Sequence, residues 1–177
     1  MTPRPIRTAT APRTAQPRLD PARLAEAHIN PLTGLATDYL NHFNEAIMLL
    51  ELLSVDPDCL EDFMSWQPMS YTEHFAASSF KHRDIAIAAY AAADPVARAR
   101  LDVLADTMTD VLTATREALR ANPLSPSTGH LATKTVAWLK PLVARAGAVI
   151  NGTYPADSAA DAGDGEPQAA IDAVMER

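Results

Sequence analysis

Asp-Pro pairs at residues 20–21, 56–57 and 94–95, and a Ser-x-x-Glu at Ser70 to Glu73, each stand just ahead of a stretch with apolar residues at helical spacing. An aspartate side chain accepts a free amide of a helix's first turn. Proline suits the first helical position, where its missing N–H has no intrahelical partner. In the Ser-x-x-Glu box, the Ser oxygen takes the amide of the third residue and the Glu reaches back to the Ser amide. Four helix starts spread along the chain leave little room for a sheet, and no segment shows the alternation of a half-buried strand.

The segments behind these signals carry helical stripes. Leu35, Tyr39, Phe43, Ala46, Ile47, Leu50 and Leu53 recur every three or four residues, wide enough to face more than one neighbour. Asp56 is placed as the cap of a short helix with Pro57 at its first position. From the Ser70 box a helix is expected to run to about Ala93. After Asp94-Pro95, Leu101, Leu104, Met108, Val111, Thr115 and Ala118 mark a bundle seam. A last helix shows Leu131, Thr135, Trp138, Leu142 and Val149 on one side, is interrupted by Pro141, and stops at Asn151-Gly152.

The expected fold is all-α: an antiparallel helical bundle of four long helices and one short one. It occupies residues 31–152, between a basic, Pro/Arg-rich disordered tail (1–30) and an acidic flexible tail with a possible short terminal helix (153–177). Residues 1–30 hold five bases and two acids, and 153–177 six acids and one base, with too little apolar surface to offset ordering entropy. Asp20 and Pro21 make a short helix within the first tail conceivable.

A formal net charge of −7 argues against a nucleic-acid partner, because phosphate contacts need a basic face. The longest apolar run, "AIMLLELL", falls well short of the ~20 residues of a membrane span. The single cysteine, Cys59, rules out an internal disulfide, and its acidic neighbours Asp58, Glu61 and Asp62 oppose thiolate chemistry. With no targeting segment read, a cytoplasmic location is expected.

Signatures of catalysis are missing: no glycine-rich phosphate loop, no nucleophile elbow, no H-E-x-x-H and no C-x-x-C. The expected function is therefore a non-enzymatic protein-interaction or regulatory module, its partner another protein or a second copy of itself, with no cofactor. The alternative is a metal- or cofactor-binding bundle, an oxidoreductase or sensor. Asp38, His42 and Glu45 lie along one helix at i, i+4 and i+7. His74, Ser78 and His82 lie four apart on another. If the two helices are neighbours, His42, Glu45, His74 and His82 converge, with Asp38 as a further ligand, on a divalent ion such as Zn, Fe or Mn. The order "HFNE" reverses the Glu-x-x-His of di-iron carboxylate bundles. The positional reading puts His42 and Glu45 at the edge of the buried stripe.

Three further features need a role. Asn41 and Asn44 are poor helix formers, expected to fix the bundle's register through buried hydrogen bonds. "WQPMSY" offers Trp66, Met69 and Tyr71 as a plug over one end of the bundle. Near the C-terminus, Ile171, Val174 and Met175 line one side of a short amphipathic segment and are candidate partner-binding residues. There Gln168, Ile171, Asp172 and Ala173, with Val174 in place of leucine, resemble the Q-x-x-I-D-A-L peptide by which bacterial flagellar switch proteins bind a response regulator. That resemblance implies a docking peptide and covers only these positions.

Overall fold

The computed structural model describes residues 19–53, 55–56, 58–122 and 127–153. Among them the chain is all-α, with no strand. The helices are α1 (Pro21–Glu26), α2 (Leu40–Leu52, entered through a 3-10 turn at Thr37–Tyr39), α3 (Cys59–Ser65), α4 (Tyr71–Ala77), α5 (Arg83–Ala91), α6 (Pro95–Ala121) and α7 (Thr128–Ile150). No helix among the described residues is long and apolar enough to cross a membrane.

Three of the four start signals act as their chemistry dictates. Asp20 Oδ1 accepts the Ala22 amide at 3.1 Å, and Asp94 Oδ1 accepts those of Val96 and Ala97 at 3.1 and 2.8 Å. The capping box is complete: Ser70 Oγ accepts from Glu73 N at 3.4 Å, and Glu73 Oε2 from Ser70 N at 2.8 Å. The Glu73 carboxyl is held below its ordinary pKa, first by the Ser70 side chain and then by its amide. Asp56 behaves differently. Its Oδ1 accepts the Asp58 amide at 3.1 Å, and α3 begins at Cys59, so Asp56 shapes the turn before the helix. Pro57 lies outside the described residues.

The helix expected from Ser70 to about Ala93 is two helices. α4 stops at Ser78, whose backbone turns extended (ψ 158°). Ser78 Oγ donates to Phe75 O at 3.0 Å and accepts the Phe80 amide at 3.3 Å, which gives the backbone an alternative to the helical ladder. Phe80 then packs edge-on against Phe75, and α5 starts afresh after His82.

α6 and α7 pack on each other, and α2 packs on α7. α2 buries Leu40, His42, Phe43, Ala46, Ile47 and Leu50. On α6 the buried line is Ala97, Leu101, Ala105, Met108, Leu112, Thr115 and Leu119, rotated slightly from the expected seam; Leu104 and Val111 pack on its flank. On α7, Val136 and Leu139 take the central places expected of Trp138 and Leu142. The helix runs on through Pro141, which faces solvent. One polar pair crosses this interface: Thr115 Oγ1, already donating to Val111 O, sits 2.9 Å from Thr135 Oγ1. Asn41 and Asn44 are exposed, so this threonine pair, and not the asparagines, supplies the buried hydrogen bond.

Leu24, Ala27 and Ile29, which fall within the expected first tail, are buried in the core. The following loop is tied down at Thr33, whose Oγ1 donates to Ile150 O at 2.6 Å and whose carbonyl accepts from Asp94 N at 3.0 Å. Gly34 is required there. Its φ is +75°, and a Cβ would lie 3.0 Å from Ala93 Cα. At the other end Gly152, at φ +69°, closes α7 as the sequence indicates, with Thr153 N bonding back to Ala148 O at 2.9 Å.

Trimming the chain to 31–152 removes Leu24, Ala27 and Ile29 from the core. It should cost several kcal/mol against a chain starting at Leu19, read as a lower midpoint of urea unfolding. An equal midpoint for both chains would return residues 19–30 to the tail. Leu50→Ala should cost ~2–5 kcal/mol, whereas Leu104→Ala, on the flank of its stripe, should cost less.

Candidate functional site

His42 belongs to α2, beside the apolar stripe, yet is only 3 % exposed. It is not at a wet edge because the segment after α3 folds over it. α3 ends at Trp66, whose backbone turns extended (ψ 133°) and sends the chain back across α2. The Trp66 ring stacks on His42, with centroids 4.7 Å apart and planes 21° apart. Trp66 Nε1 donates to the His42 carbonyl at 3.2 Å, and Arg116 of α6 donates to the Trp66 carbonyl. Tyr39 Oη holds the far end of the segment by donating to Met69 O at 3.0 Å. Trp66 and Tyr71 are buried, so the "WQPMSY" stretch does cover hydrophobic groups, and it covers His42 as well.

Nε2 of His42 is buried and has no hydrogen-bond partner. The Gln67 backbone beside the ring favours its protonated form. His74 is half-buried on α4, and the Asp38 backbone likewise favours its protonated ring. The two imidazole centroids are 5.9 Å apart. They line an open cleft of about 240 Å³ together with Asn41, Glu45, Met69, Ala77 and Ser78.

Burial, and then the neighbouring His74, pull the His42 pKa down to about 4. Burial lowers the His74 pKa too, opposed by the Asp38 backbone bond and the charges of Asp38 and Glu45. Near neutral pH His42 is thus an uncharged acceptor. This cleft offers two imidazoles, one exposed carboxylate and a soft thioether rim.

The structure thus brings His42 and His74 together, with Glu45 on the same cleft and Asp38 supporting His74 through its backbone. It does not bring in His82. The break at Ser78 moves His82 to the start of α5, against Phe80. Among the described residues no group of three or more His, Cys, Asp or Glu is already arranged to hold an ion. Cys59 is buried, and burial followed by Asp56, Asp62 and Asp58 raises its pKa, as its acidic surroundings suggest. Ile171, Val174 and Met175 lie outside the described residues. A larger cavity of about 560 Å³, lined by residues such as Leu24, Pro31, Leu32 and Ala93, offers only Asp94 as a charged group, and Asp94 is engaged as the α6 cap.

Sequence reading missed that Trp66 belongs to this site. The signal was present, since an aromatic residue followed by Gln-Pro ends a helix and directs the chain. The element it folds back upon is 24 residues earlier and not visible from spacing.

A histidine with a lowered folded-state pKa takes up its proton first in the unfolded chain, so acid favours unfolding. In transition-metal-free buffer, His42 should cost the protein on the order of 3 kcal/mol as pH falls from 6.5 to 4, with no further loss below that range. His42→Phe, which keeps a ring against Trp66, should remove this part of the pH dependence. Parallel stability–pH curves for the two proteins would show that His42 titrates normally.

No family model matches the chain, and no curated protein or solved structure matches it, so the functional argument rests on the site and the surface.

Proposed function

We propose that the chain is a non-enzymatic helical-bundle module, acting in the cytoplasm, that binds another protein or a second copy of itself through the outer face of α2. The observation that carries this reading is a line of exposed side chains. Asn41, Glu45, Met48 and Leu52, with Val55 just beyond the helix, follow one another at spacings of four, three, four and three. Met48 is 51 % exposed, Leu52 39 % and Val55 77 %.

On a helix this spacing makes one continuous strip, the form in which an amphipathic partner helix is gripped. Scattered apolar residues on a surface need no explanation, but three in register on one edge differ from that background. The polar end of the strip, Asn41 and Glu45, borders the histidine cleft. α2 packs against α7 and α3, and the strip lies on the side of it that remains exposed. The lack of catalytic motifs in the sequence is consistent with a binding role.

Met48→Glu with Leu52→Glu should leave thermal stability nearly unchanged, since surface substitutions fall within about ±0.5 kcal/mol. The same pair should abolish association. Two measurements read this: sedimentation of the purified chain across a concentration series, and a photo-crosslinker placed at residue 48 in cells. A crosslinker at Val103, also exposed and apolar but on α6, serves as control. A monomer at all concentrations, with equal crosslinking from both positions, would remove α2 as the working surface.

A further inference from the structure

We propose that His42 and His74 are the two fixed ligands of a divalent transition-metal site of the zinc class, in the cleft between α2 and α4, with Glu45 as the closing ligand. The inference is independent of partner binding along α2.

The first support is the unpaired His42 Nε2. Buried polar atoms nearly always find a partner, and a site that leaves one bare needs a reason. Here the orphan atom belongs to a ring that is 3 % exposed and lines an open cleft. The Gln67 backbone lies beside the same ring and favours its protonated form. Metal-binding histidines generally give one nitrogen to a backbone carbonyl or carboxylate and turn the other to the ion. The Trp66 stack holds the ring plane from the other side. The Asp38 backbone acts on His74 in the same sense.

The second support is distance. Zn–N bonds are about 2.0–2.1 Å, and the imidazole centroid lies about 1.1 Å further on, so two histidines on one tetrahedral ion place their centroids about 5 Å apart. The observed separation is 5.9 Å, so the rings must close by somewhat under an ångström on binding, a movement open to the half-buried His74. Two imidazoles with a carboxylate form a donor set for zinc-class ions, while magnesium and calcium require mostly oxygen. Glu45 is one turn from His42, lines the same cleft and acts electrostatically on His74. It is exposed and free to swing inward, which accounts for the lack of a ready-made three-ligand group. Water fills the remaining position, leaving an open coordination site.

The test is calorimetric titration of Zn²⁺ into the untagged full chain after chelator treatment. One ion per chain is expected. His74→Gln and His42→Phe should each weaken binding by at least about tenfold, and Glu45→Gln by less. Circular dichroism must show each variant folded; His74, half-buried on the rim, keeps the test valid if His42→Phe does not fold. Imidazole ¹⁵N spectra give a second readout: Zn²⁺ should shift His42 Nε2 while Nδ1 remains protonated. His82→Ala with His130→Ala should leave binding unchanged. The proposal is overturned if Zn²⁺ fails to bind. Undiminished binding in folded His74→Gln, or loss of binding in the His82/His130 variant, would likewise overturn it by assigning the metal to surface histidines.

Discussion

Trp66 is the contact on which the arrangement of α2, α3 and α6 depends. Its ring lies on His42, its indole N–H takes the His42 carbonyl, and its own carbonyl receives Arg116. An indole buries a large apolar area and needs a partner for its one polar atom, so its position is fixed by packing and hydrogen bonding together. Tyr39 reinforces this from α2's entry, in ring contact with Phe43, Tyr71 and His74 and bonded to Met69. Tyr71 carries the aromatic chain on to Tyr90 of α5, stacked at 4.5 Å, while its hydroxyl accepts the Ala36 amide. Short helices with little stability of their own are thereby held by side chains rather than by length.

The same covering segment creates the site. A histidine beside an apolar stripe would ordinarily keep its polar edge in water. Folding residues 66–69 over α2 removes that water and leaves Nε2 buried without a partner. The desolvation that lowers the His42 pKa also keeps its lone pair available at neutral pH. Exposed side chains on the neighbouring face of α2 continue the surface outward, so a buried acceptor and an apolar strip share one helix.

Polar groups inside the long-helix interface play a different part. Thr115 and Thr135 satisfy each other across α6 and α7, surrounded by leucine and alanine. A slip of either helix would take from Thr135 its partner across the interface, while Thr115 keeps its bond to Val111 O, so the pair favours the observed register. The Lys140–Glu51 ion pair at 2.6 Å links α7 to α2 at the surface, where water screens it and its net contribution is small.

The sequence by itself determined the all-α class, the capping chemistry of α1, α4 and α6, the glycine end of α7 and, of α2's buried face, Phe43, Ala46, Ile47 and Leu50. These follow from interactions within one or two turns, which residue order contains directly. Tertiary structure alone decided what depends on distant partners. It drew Leu24, Ala27 and Ile29 into the core and rotated the α6 stripe to meet α7. The Ser78 break, local in its bonds, was settled by where Phe80 could pack. It also made His42 a buried acceptor beside His74 and left His82 elsewhere, because His42's environment is set by Trp66 and His74, 24 and 32 residues away. Helical periodicity tells which side of a helix a residue is on, but not what will cover that side.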